Sequence, residues 1–241
     1  MKEVSCTPKN LSNSCGRRAA RKRGELRKLG GYRKAAILTD DVVDALYAET
    51  VAKSLAEAGF SVCKFVFPNG EASKSIDTAV AAYGFLTGHG VTRGDVLVAL
   101  GGGVTGDLTG FTASTYLRGV DYVQIPTTLL AQIDSSVGGK TAVNSAAGKN
   151  LIGTFWQPRL VLCDTDTLST LSDEIFSDGV AEAIKYGMIR DRKLFETIED
   201  DIHAHLADVI ARCIAIKKQV VEADEFDKGE RMLLNFGHTL G

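Results

Sequence analysis

The chain has 241 residues, 44% of them hydrophobic and 24% charged, with a formal net charge of −2. That is enough apolar material for a buried core, while no apolar run reaches the ~18 residues a membrane helix needs. A charge so near neutral singles out neither nucleic acid nor membrane as a partner.

The charge is unevenly placed. Residues 1–34 hold eleven lysines and arginines against Glu3 and Glu25, so this stretch carries +9 and the remainder −11. Without interleaved aromatics it reads as a basic, disordered arm over residues 1–33, not as a nucleic-acid site. No apolar segment follows the basic N-terminus as a secretion signal would require. The five cysteines (Cys6, Cys15, Cys63, Cys163, Cys213) are scattered with no CxxC pair, which suits free thiols in a reducing compartment. A cytoplasmic location is expected.

From residue 34 the pattern is that of a nucleotide-binding α/β domain. Ala35-Ala36-Ile37-Leu38 is an apolar strand running into Thr39-Asp40-Asp41, which can cap a helix over 42–58. A second strand is predicted over 60–67 and a helix over 75–89, followed by a fully apolar strand, Asp95-Val96-Leu97-Val98-Ala99-Leu100. Further strands are predicted over 122–125 and 160–163. Strand and helix in alternation imply a parallel sheet with helices on its faces. Beyond about residue 171 the strands stop and helical periodicity takes over, at 175–189 and 195–222. The expected organisation is a Rossmann-like NAD-binding α/β domain over 34–174 and the beginning of an all-helical domain over 175–241.

Gly101-Gly102-Gly103-Val104-Thr105-Gly106-Asp107 follows the buried strand and leads into a helix. Such glycines let backbone approach a pyrophosphate, whose charge is drawn to free N–H groups at a helix start. Asp121 has the spacing of a ribose-binding acid but opens its strand instead of ending it; Asp40 and Glu71, at strand ends, are better placed. The stretch 126–150 is dense in small polar residues and lysines, as expected where a chain converges on an anionic, hydroxylated ligand. Glu182 and Lys185 share a helix face at i,i+3, read either as an ion pair or as site residues. His238 lies in an apolar stretch, as a core histidine or a metal donor.

GGGVTGD, YLRGV, QIPTTLLAQIDSSVGGKTAVN, GKNLIGTFWQP, DGVAEAIKYGMI and ERMLLNFGHT occur in the order and spacing of the 3-dehydroquinate synthase family, and the chain resembles that family from about Lys34 to Gly241. The resemblance implies that Asp40, Glu71 and Lys74 contact the ribose and adenine of NAD. Gly102, Gly103, Val104 and Asp107 would form the pyrophosphate and ribose loop, with Thr127, Thr128, Lys140, Lys149, Thr167 and Thr170 as further NAD contacts. Asp134, Lys140, Asn150, Lys185, Lys217, Arg231 and Asn235 would form the substrate pocket, and Arg118 would reach a phosphate across a dimer interface. Glu182 and His238 would be two of three ligands to zinc or cobalt. The helical part would be a metal- and substrate-binding domain.

The implied activity is conversion of 3-deoxy-D-arabino-heptulosonate 7-phosphate to 3-dehydroquinate plus phosphate, an NAD-dependent, metal-requiring carbon–oxygen lyase step of the shikimate pathway. The implied partners are a small phosphorylated sugar acid and, in the full-length protein, a second copy of the chain; no nucleic acid or membrane is expected. Family members continue past the position of Gly241, so a C-terminally truncated chain without appreciable turnover is expected. Two alternatives stand beside this reading: another sugar-phosphate cyclase, or an inactive NAD-binding fragment.

Overall fold

The computed structural model describes residues 31–227 and 229–236, together with the backbone of two strand segments, Glu3–Cys6 and Leu11–Cys15. In chain order the strands are β1 (Glu3–Cys6), β2 (Leu11–Cys15), β3 (Lys34–Asp40), β4 (Ser61–Phe67), β5 (Val96–Gly101), β6 (Asp121–Pro126), β7 (Lys140–Ser145), β8 (Gly148–Phe155) and β9 (Leu160–Cys163). The main sheet has the order β1-β2-β9-β6-β5-β3-β4 and is parallel except for β1. The interior strands β3 and β5 are apolar runs buried on both faces, as a covered parallel sheet requires. From β3 the chain steps outward to β4, then crosses to β5 on the other side. The crevice beyond the carboxyl ends of β3 and β5 is therefore the switch point, where open α/β sheets bind ligands.

Helix α1 spans residues 41–57 with a π turn at Asp44–Ala48, α2 is Ile76–Gly88 and α3 is Gly103–Thr115. Helix α1 packs Val43, Val51 and Leu55 on one sheet face. Helix α2 and the far end of α3 cover the other through Leu86, Ala113 and Tyr116. Helices α4 (Asp173–Arg190), α5 (Arg192–Asp201) and α6 (Leu206–Ala223) follow. Their core is not separate from the sheet: Tyr186, Leu194, Val209 and Ile214 pack with Leu129 and Ile133, which follow β6, and with Val161 and Cys163 of β9. At ~1.5–3 kcal/mol for each large apolar side chain buried, this shared core fixes the helices against the sheet's carboxyl edge.

The structure departs from the sequence reading in three places. Residues 1–33 were expected to form a disordered arm, yet within them β1 and β2 pair with each other, and β2 extends the sheet beside β9. The helix expected over 195–222 is broken: Asp201 Oδ1 accepts from the N–H groups of His203 and Ala204, diverting the backbone between α5 and α6. No strand was predicted between 126 and 159, yet two lie there. They form the antiparallel pair β7–β8, whose Thr141 and Val143 are buried where β7 lies against α3.

Candidate active site

Gly102 is the N-cap of α3 and offers no side chain, so the first-turn N–H groups of this helix are uncapped at the crevice. A Cβ on Gly103 would come 3.2 Å from Ser135 Oγ, so the space over the loop is a cradle that added carbon would fill. Gly106 serves packing: a Cβ there would sit 2.6 Å from Gln124 Oε1 on β6, so only glycine lets α3 lie this close to the sheet. Val104 is half-buried on the same turn, and Thr127 closes the loop from behind, its N–H donating to Gly101 O at 3.0 Å. Thr128 caps the next turn by accepting from Ala131 N at 3.2 Å.

Asp40 ends β3, but its carboxylate is engaged as the N-cap of α1, Oδ1 accepting from Val42 N at 3.1 Å and Val43 N at 3.0 Å. Lys74, buried, donates to Asp107 Oδ2 and to Asn150 Oδ1, both at 2.5 Å, tying α3 to the hairpin. Burial pushes the Asp107 carboxyl up, against the pull of Lys74. Glu71, exposed, accepts from Asn144 Nδ2 at 2.8 Å, and Asn144 in turn accepts the Asn150 N–H at 2.9 Å. Asp121, at the opposite end of the sheet, is held by Tyr32 and Arg159 and has no part in the crevice.

Below the glycine loop lies a cavity of about 550 Å³ lined by Asp107, Asp134, Lys140, Asn150, Lys217 and Arg231. A neighbouring one of about 300 Å³ shares Asp134, Lys140, Lys217 and Arg231 and adds Glu182, Lys185, Asp227 and Asn235. Lys217 on α6 donates to Asp134 Oδ1 at 2.7 Å and to Asp134 O at 2.6 Å, while Tyr186 Oη donates to the same Oδ1 at 2.6 Å. Burial alone would raise the Asp134 carboxyl, but Lys217 and these hydrogen bonds hold it below the usual carboxylate range. Burial lowers Lys217 despite Asp134, and burial likewise lowers Arg231. Arg231 donates to Glu225 O at 2.8 Å and to Gly138 O at 3.3 Å. Gly138 has φ +100°, and a Cβ there would meet Arg231 Nη2 at 2.4 Å, so the guanidinium rests on bare backbone. The larger cavity sets Lys140, Lys217 and Arg231 against Asp107 and Asp134, so its lining carries one more positive than negative charge, which suits an anion.

Glu182, Lys185 and Tyr186 share a face of α4. Lys185 Nζ is 2.5 Å from Glu182 Oε1 and donates to Leu234 O at 2.5 Å. Burial first, and Asp134 second, raise the Glu182 carboxyl. Asp134 and Glu182, two of the three carboxylates that line the smaller cavity, repel each other, and a divalent cation would relieve that repulsion. Among the described residues no three His, Cys, Asp or Glu side chains cluster as a complete metal site, and His238 lies outside those residues.

Most of the residues expected from the sequence converge on this crevice, but some do not. Arg118 is exposed at the far end of α3, about 20 Å from the glycine loop by helix length, and lines neither cavity. Lys149 is exposed on β8. Thr167 and Thr170 follow β9, with Tyr47 Oη 3.2 Å from Thr167 O and 2.5 Å from Thr170 Oγ1. The sequence reading missed Asn144, Tyr186 and Asp227. Asp227 pairs with Lys140 across the cavity, and its other oxygen, Oδ1, is buried with no hydrogen-bond partner among the described residues. Only a phenol at i+4 from Glu182 hinted at Tyr186; nothing in the sequence marked the other two.

The sheet, its switch-point glycine loop and the helical part that closes a charged cavity define a dehydroquinate synthase-like α/β protein, the fold of the NAD-carrying sugar cyclases. A 2-deoxy-scyllo-inosose synthase complexed with carbaglucose-6-phosphate, NAD+ and Co2+ superposes with a TM-score of 0.90 at 27% identity, covering 99% of this chain and 67% of that one. The 2-epi-5-epi-valiolone synthase of Streptomyces hygroscopicus, with NAD+ and Zn2+ bound, gives 0.84 at 30% identity, with 99% and 67% covered. The chain belongs to the 3-dehydroquinate synthase family: the N-terminal family model matches residues 64–178 and the C-terminal one residues 179–241. The 3-dehydroquinate synthase of Streptococcus suis is 50% identical over 232 residues, which are 91% of this chain and 65% of that protein. The chain thus spans about two thirds of the length of that curated relative.

Proposed function

We propose that the protein is a 3-dehydroquinate synthase that converts 3-deoxy-D-arabino-heptulosonate 7-phosphate to 3-dehydroquinate and phosphate, with NAD and a divalent cation. The observation that carries this reading is the group of buried cations, Lys185, Lys217 and Arg231, beside Asp134, directly under an uncapped glycine loop. A substrate with a carboxylate, a phosphate and several hydroxyls needs that combination.

In this reading residues 34–174 hold the dinucleotide and residues 175–241 supply part of the metal and substrate domain. The pyrophosphate lies on Gly102 and Gly103 at the start of α3, while Lys74 and Asp107 present a charged pair to the ribose. Lys217 and Arg231 bind the substrate's anionic groups. Asp134, kept ionised by Lys217 and Tyr186, accepts hydrogen bonds from substrate hydroxyls. NAD, when bound, takes up and returns a hydride. A divalent cation held by Glu182 and His238 would act as Lewis acid at the hydroxyl to be oxidised. Arg118, exposed and remote from its own cavity, would serve the site of a second copy in a homodimer.

The relatives' names and the identity at this level favour the seven-carbon substrate over those of other cyclases. The test is to supply that substrate with NAD and zinc or cobalt and to follow both phosphate and organic product. Phosphate release with 3-dehydroquinate as product supports the reading; release from a six-carbon sugar phosphate instead would replace it with another cyclase activity, and NAD uptake without any phosphate release would make this chain the inactive NAD-binding fragment.

A further inference from the structure

We infer that Gln132 is a positioning residue that locks the nucleotide loops and the substrate-binding turn into one unit. Strands β6 and β9 pair only at Val123↔Leu160 and Gln124↔Val161, and toward their carboxyl ends they splay apart. The carbonyls of Pro126 and Asp164 face this gap, and that of Asp164 also accepts from Thr167 N at 3.2 Å and Thr167 Oγ1 at 2.7 Å. Gln132, completely buried, fills the gap between the strand ends. Its Nε2 lies 3.1 Å from Pro126 O, 2.9 Å from Asp164 O and 3.2 Å from Thr167 Oγ1. Two carbonyl neighbours fix the amide orientation, because an Oε1 turned toward them would be repelled. Oε1 itself is buried with no hydrogen-bond partner among the described residues. The side chain thus acts here solely as a donor.

Each tie reaches a different part of the site. Pro126 is followed by Thr127 and Thr128, Asp164 and Thr167 form the turn after β9, and Gln132 sits in the π turn Ala131–Ser135 that carries Asp134. A π turn widens the helix by one residue, and here it turns Gln132 to the strand ends and Asp134 to the cavity. This inference rests on the nucleotide reading of the two threonine turns.

The test is titration of NAD into the chain and into its Gln132→Met variant, which keeps the volume and removes the donors. Loss of these bonds should weaken NAD roughly tenfold or more. As a control, Leu55→Ala in the core of α1 should lower the unfolding temperature yet leave the NAD Kd within about twofold, since it is remote from both loops. NAD affinity unchanged in Gln132→Met overturns the inference. If that variant does not fold, hydrogen exchange of the wild-type chain decides. NAD should slow exchange over 127–136 and 164–170 together, and protection confined to 101–107 would overturn the inference. A wild-type chain that takes up no NAD overturns both the inference and the reading beneath it.

Discussion

Lys217 Nζ lies 2.7 Å from Asp134 Oδ1 and 2.6 Å from the carbonyl oxygen of the same residue, so one ammonium fixes both the side chain and the backbone of the turn beneath the glycine loop. Asp134 is half-buried and Lys217 buried, so removing the carboxylate leaves a buried ammonium uncompensated, which costs about 1–3 kcal/mol. Asp134→Asn should therefore destabilise the chain by about that amount at neutral pH. Because its folded pKa is depressed, Asp134 stabilises the fold above its unfolded value, about 3.9, and this contribution is lost as pH falls through the lower folded value. The stability gap between wild type and Asp134→Asn, measured by urea unfolding, should thus hold from pH 7 to about pH 4 and shrink below it. A gap that widens on acidification would contradict the assignment.

Two glycines of one loop should respond differently to substitution. Gly103→Val fills the cradle over the loop and should abolish NAD binding while changing stability by less than about 1 kcal/mol. Gly106→Val drives its side chain into Gln124 and should cost about 1–3 kcal/mol. Titration of NAD and thermal unfolding of both variants separate the roles; NAD affinity retained in Gly103→Val would rule out this loop as the nucleotide site.

Lys185 joins Glu182 to the backbone at Leu234. Lys185→Ala should weaken binding of the sugar-acid phosphate by roughly a hundredfold, as expected for truncating a buried charged hydrogen-bond partner. NAD affinity should change little. Equal losses of both ligands would indicate misfolding instead of a lost substrate contact.

Zinc should raise the unfolding temperature of the wild-type chain, because an ion that binds only the folded state stabilises it by mass action. The Glu182→Gln variant should show no such rise and keep its NAD affinity. A zinc-induced shift of equal size in the variant would place the metal elsewhere.

The sheet was largely legible because β3, β5 and β9 carry uninterrupted apolar runs and β6 one broken only by Gln124, and the glycine loop because its residues follow such a run. The β7–β8 hairpin was not: glycines break its alternation, and Gly153 is there because a Cβ would meet Thr141 O at 2.5 Å, a purely tertiary demand. Asp201 ended α5 with its own side chain, which the apolar period does not report. Asp227 lies in an acidic turn with Asp224 and Glu225, indistinguishable in sequence from a solvated face until Lys140 is found beside it. Arg231 lies in a family motif and Lys217 came from the family resemblance, since apolar periodicity alone treats a buried cation as an error in the pattern.

The most direct measurement of the central claim is calorimetric titration of the NAD-loaded chain with 3-deoxy-D-arabino-heptulosonate 7-phosphate and, separately, with carbaglucose-6-phosphate, the ligand of the inosose synthase structure. The cavity built by Asp134, Lys185, Lys217 and Arg231 should bind the seven-carbon acid the more tightly, because it offers a carboxylate as well as a phosphate to the buried cations. Tighter binding of carbaglucose-6-phosphate, or NAD uptake with no binding of the seven-carbon acid, would contradict the account.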